Sequence, residues 1–155
     1  MAETSREPKR IIPALGPFYD STRDLSWLVI RVTAGGMLLA HGITKLTTSS
    51  IAGFASASLA RRGIEPSIPL AYVVFFLETV GAVCIILGLF TRAFALAIGI
   101  QFLIITFHAH WAQGFAWNRP GGGWEYPLFW GMSWVAIGLR GGGPYSLDRL
   151  LGREL

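Results

Sequence analysis

Charge is scarce in this chain of 155 residues: Asp, Glu, Lys and Arg make up 14% of it. A soluble domain carries about 25%. Apolar residues other than glycine reach 52%, and the mean hydropathy is +0.50. The scarcity excludes an ordinary soluble fold and a disordered, solvated chain alike. Cysteine is nearly absent. Cys84 stands alone inside an apolar run, so no internal disulfide and no CxxC redox pair can form. There is no HExxH or comparable ligand spacing, and no metal site is expected. A cleavable leader is not expected either. The first apolar stretch begins only near Leu25, is too long for a signal core and lacks a small-x-small cleavage site. The net charge of +4 does not point to nucleic acid, because the basic residues sit between apolar runs rather than in a patch.

What is present is a series of long apolar segments. Crossing the hydrocarbon core takes about 20 residues. Spans are expected at about 25–46, 68–89, 92–111 and 124–139, the fourth being the shortest. Trp124, Tyr126 and Arg140 can anchor its ends. The expected fold is therefore an all-α integral membrane protein, a four-transmembrane-helix bundle over 25–140. A polar N-terminal tail (1–24) and a C-terminal tail (141–155) flank it. Phe90-Thr91-Arg92 forces a tight hairpin between the second and third spans. In the loop 47–67, Ile51, Phe54, Ala55, Ser58 and Leu59 recur at helical spacing. They predict a short interfacial helix in the first periplasmic loop. Ser146 is placed to cap a short tail helix.

Orientation follows from the basic residues. Arg6, Lys9, Arg10, Arg23, Arg92, Arg140, Arg149 and Arg153 share one side, while Lys45, Arg61, Arg62 and Arg119 share the other. The richer side is expected to be cytoplasmic, with both termini inside a bacterial-type inner membrane.

Polar side chains within spans are costly and usually face the bundle interior. Here they are Arg31, His41, Lys45, Glu78, Gln101 and His108, with Glu125 at the start of the fourth segment. On an α-helix, Arg31, His41 and Lys45 fall within an arc of about 80°. Gln101 and His108 share a face, and His110 points the opposite way. His41, Lys45, His108 and Glu125 lie toward one membrane face, with Glu78 near the midplane. The pattern predicts a polar pocket that opens toward the periplasm and bottoms out at Glu78. A structural ion pair of Glu78 with Lys45 or Arg31 is the plainer alternative. Two histidines on neighbouring spans would permit haem ligation, but haem is not the expected cofactor. No residue is assigned a catalytic role.

Several motifs then stand in order: Arg31; Gly36-Met37-Leu38-Leu39-Ala40-His41-Gly42-Ile43-Thr44-Lys45-Leu46; Glu78-Thr79-Val80-Gly81; Leu87-Gly88-Leu89-Phe90-Thr91-Arg92; Trp124-Glu125-Tyr126-Pro127-Leu128; and Gly143-Pro144-Tyr145-Ser146-Leu147-Asp148. Over about 24–150 they resemble the DoxX family. That resemblance implies a four-span membrane protein. Some relatives are linked to quinone-coupled oxidation of reduced sulfur, as the small membrane subunit of a thiosulfate:quinone oxidoreductase. Others are linked to membrane-associated oxidative-stress complexes. The chain lacks the cysteine pairs of four-helix membrane bundles with thiol–quinone chemistry, so it is not expected to perform that chemistry itself. The resulting expectation is a membrane subunit that interacts with quinone, with the seven polar residues from Arg31 to Glu125 named above forming the cofactor site. The alternative is a non-catalytic accessory or assembly subunit. Glycines in the first two spans permit close packing against a larger membrane complex or in a homo-oligomer. The remaining expected partner is the lipid bilayer.

Overall fold

The computed structural model describes residues 9–154 and contains no strand among them. The expected positions of Arg6 and of the tail before residue 9 lie outside the described residues. A 3-10 turn, Pro13–Leu15, leads into helix α1 (Gly16–Thr47). Pro17 suits the first turn, where its missing N–H costs nothing. Residues 16–24 therefore extend the first helix, although their polar composition reads as tail. After Ser50, whose hydroxyl accepts from Gly53 N–H, a helical segment α2 (51–62) follows. Then come α3 (Ser67–Leu87), α4 (Thr91–Gln113), α5 (Glu125–Arg140) and the short α6 (Leu147–Leu151). Among the described residues, α1, α3 and α4 are long and apolar enough to cross a membrane, whereas α5 has 16 residues.

Three stretches adopt π-helical hydrogen bonding: Ala55–Leu59 in α2, Leu77–Gly81 in α3 and Ile105–His110 in α4. Such turns hold an extra residue, re-aim side chains and occur often at functional sites.

The core unites Trp27, Ala34 and Leu38 of α1 with Ala82 and Ile85 of α3, Ala95 and Ile98 of α4, and Trp134 and Ile137 of α5. Large apolar side chains such as Val29, Ile104, Phe129 and Leu139 face outward, as lipid contact requires. α1 packs on the second half of α3, and α4 packs along α5. Gly42 lets α1 approach α3 closely, since a Cβ there would sit 2.6 Å from the Glu78 carbonyl oxygen.

The end of the bundle that carries α6 is tied by polar contacts. Arg31, 1% exposed, donates to the carbonyls of Gly142, at 2.6 Å, and Tyr145. Trp27 Nε1 donates to the Gly141 carbonyl at 3.0 Å. Asp148 accepts from the N–H groups of Phe90 (2.7 Å) and Thr91 (3.0 Å), and its own N–H donates to the Gly88 carbonyl. It thereby caps α4 and holds a hairpin in which Gly88 and Phe90 both take positive φ. Ser146 caps α6, accepting from Arg149 N–H.

Candidate functional site

α3 and α4 pack near their connecting turn and part beyond Phe76. The opening between them holds a cavity of about 610 Å³, closed on one side by α2. Its walls are mostly apolar: Leu70, Val73, Val74 and Leu77 from α3; Ala97, Ile100, Ile104 and Ile105 from α4; Phe54 and Leu59 from α2. Val73, Ile100 and Ile104 are each more than half exposed, so the cavity's outer rim lies on the apolar exterior. The predicted face of α2, Ile51, Phe54, Ala55, Ser58 and Leu59, is the less exposed one. It turns inward onto α3 and this cavity rather than outward.

The polar wall is built from three helices. Lys45 of α1 forms a buried ion pair with Glu78 of α3. Gln101 of α4 donates from Nε2 to Glu78 Oε1 at 2.8 Å. Lys45 Nζ also reaches the His41 carbonyl at 3.4 Å and lies 4.7 Å from the centre of the Phe54 ring, a cation–π contact. Glu78 is 5% exposed and Gln101 7%. Gln101 Oε1 is buried without a hydrogen-bond partner. Glu78 is the second residue of its π turn and sits at the level where Gly42 lets the two helices touch. Lys45, one turn further along α1, lies in reach of its carboxylate.

A second cavity, about 170 Å³, lies on the other side of Glu78. It is lined by Ala34, Leu38 and His41 of α1, by Phe102 of α4, and by an aromatic group of Trp117, Tyr126, Trp130 and Trp134. Trp117 and Tyr126 pack with ring centres 4.8 Å apart. The Trp134 indole N–H is buried without a partner. Glu78, Ile105 and His110 border both cavities.

The expected polar residues divide accordingly. Lys45, Glu78 and Gln101 come together, and His41 lines the smaller cavity. His108 lies apart, exposed, with Nε2 2.9 Å from the Arg62 carbonyl oxygen. The cause is the π turn over Ile105–His110, which shifts the register and brings His110 inward instead. Glu125 accepts from Trp117 N–H at 2.6 Å and donates its own N–H to the Phe115 carbonyl. It holds the loop 114–124 and does not reach Glu78's cluster. Arg31 belongs to the opposite end of the bundle. His110, Phe54 and Asp148 escape the sequence pattern: the first through the π turn, the second as one aromatic among many, the third because it lies beyond the apolar runs.

The DoxX family model matches residues 26–111. The chain belongs to the DoxX family. No curated protein and no solved structure matches it. The DoxX match runs from the end of the third turn of α1 almost to the end of α4. It therefore contains Lys45, Glu78, Gln101 and His110, whereas Glu125 and Asp148 lie beyond it. The ion pair and the larger cavity are thus features of this protein's DoxX region, and the aromatic chamber joins that region to α5.

Proposed function

We propose that this DoxX protein binds a membrane quinone in the larger cavity and serves as a quinone-interacting subunit in redox or oxidative-stress metabolism. One observation supports this above the rest: an apolar cavity about 610 Å³ in volume, open at the lipid-facing surface, ends on a buried Lys45–Glu78–Gln101 cluster. An isoprenoid tail suits Val73, Val74, Ile100 and Ile104. Head-group carbonyls need donors, and Lys45 has N–H groups beyond the one given to Glu78. The donor set fits such a head group. When bound, a quinone supplies the capacity to carry electrons and protons together. Glu78 and Lys45 are the ionisable groups nearest to exchange those protons, and an external donor provides the electrons. In this reading α5 is the fourth span, α2 lies near the periplasmic interface, and both termini are on the cytoplasmic side of an inner membrane.

The protein, purified in mild detergent, is extracted with organic solvent and its quinone quantified against a control membrane protein. Near-stoichiometric quinone in the wild type and in Cys84→Ala, but not in Glu78→Gln, is the expected result. Background quinone in all three would overturn the proposal and leave the accessory-subunit reading.

A further inference from the structure

His110 occupies the junction of the two cavities, and its chemistry there is fixed by one contact. Its Nδ1 lies 2.9 Å from the carbonyl oxygen of Gly122. A carbonyl oxygen can only accept, so Nδ1 carries the proton, an assignment made from bonding chemistry. The ring also packs beside Trp117, with centres 5.3 Å apart. Nε2 is therefore the variable atom. It is a lone-pair acceptor when the imidazole is neutral and an N–H donor when the imidazole is protonated.

We propose that His110 sets which redox form of the ligand the site holds. This rests on the quinone reading above. An oxidised head group offers only carbonyl oxygens and needs donors. Its reduced partner offers hydroxyls and can donate. Protonated His110 suits the first, and neutral His110 suits the second. Binding of the oxidised form thus draws a proton from solvent onto Nε2. Its affinity rises with protonation of the imidazole, while the affinity of the reduced form falls. Reciprocal linkage ties each pH dependence to the protons taken up or released when that form binds. The ionisable groups around His110 are Glu78 on both sides, Lys45 and Arg62 in the larger cavity, and His41 and Tyr126 in the smaller. Lys45 and Glu78 neutralise each other. His41 is the other imidazole lining these cavities, and His108, exposed and outside both, is the control.

The test uses the full chain in nanodiscs of neutral phospholipid, with a short-chain benzoquinone and its benzoquinol as probes. Dissociation constants are measured at about pH 8 and about pH 5, spanning the histidine range. Calorimetry in buffers of different ionisation enthalpy counts the protons taken up. The ratio of the two affinities is expected to change by about tenfold or more, the scale of a hydrogen bond to a charged group. His110→Asn keeps a donor for the Gly122 carbonyl but has no atom at Nε2. It should bind both probes with a ratio independent of pH. His110→Gln, which places an amide near Nε2 but takes up no proton, should show the same pH-independent ratio if the asparagine variant does not fold. His108→Gln should keep the wild-type shift. A flat ratio in the wild type, or a shift that survives in the His110 variants, overturns the role of His110 while leaving quinone binding intact. Failure of both probes to bind at either pH overturns both.

Discussion

Lys45 and Glu78 are each costly in an apolar bundle, and each makes the other tolerable. Removing one partner of a buried ion pair strands the other charge, at a cost of about 3–5 kcal/mol. Replacing both with apolar groups of similar size is often close to neutral. Lys45→Met and Glu78→Met should therefore each lower the unfolding midpoint in detergent, and the double variant should recover most of the loss. Quinone should be missing from all three. A double variant as stable as the wild type that still retains quinone would show the pair to be purely structural. Both residues are legible in the amino-acid sequence alone, because an ionisable group inside an apolar run has few places to go. Which partner Glu78 takes is not legible there. Arg31 and Lys45 share a face of α1, but Arg31 lies more than three helical turns away and meets the Gly142 and Tyr145 carbonyls instead.

Helix faces follow from sequence only where the helix keeps its α register. Angular reasoning places Arg31 and Lys45 together on the buried face of α1, whose hydrogen bonding is α-helical from Gly16 to Thr47, while His41, at the edge of that arc, is exposed. It fails in α4, where the π turn over Ile105–His110 moves His108 outward and His110 inward. Nothing in Ile-Thr-Phe-His-Ala-His announces that turn, since it depends on packing against neighbours. The contact between α1 and α3 is testable at Gly42. A Cβ there would lie 2.6 Å from both the Glu78 carbonyl oxygen and Thr79 Cγ2, whereas a Cβ at Gly36 would meet nothing within 4 Å. Gly42→Ala should separate the helices, weaken the ion pair and lower thermal stability by about 1–3 kcal/mol, the usual cost of overpacking. Gly36→Ala should be neutral or slightly stabilising, because alanine favours helix. Equal midpoints for the two variants would count against close packing at Gly42.

The whole molecule has two unlike ends. One is a lattice of carbonyl and carboxylate contacts around Arg31 and Asp148; the other is open, with cavities on both sides of Glu78. The order of the apolar helices is readable from hydropathy, but the role of α2 is not, because an apolar face at helical spacing suits lipid and protein equally. α5 is the helix most in need of a direct test. Its 16 residues rise about 24 Å against a hydrocarbon core of about 30 Å. In a Cys84→Ser background, Arg119→Cys should react with a membrane-impermeant maleimide in intact cells, and Arg149→Cys only after permeabilisation. Reaction of both from the same side would mean that α5 does not cross. The rim formed by Val73, Ile100 and Ile104 carries a consequence for any lipophilic ligand. A molecule entering there is met at its mole fraction in the bilayer, not at its aqueous concentration. Each methylene added to its tail favours the bilayer by about 0.8 kcal/mol. Longer homologues would then look tighter by partition alone, and only affinities expressed per lipid would reveal what the head-group contacts contribute.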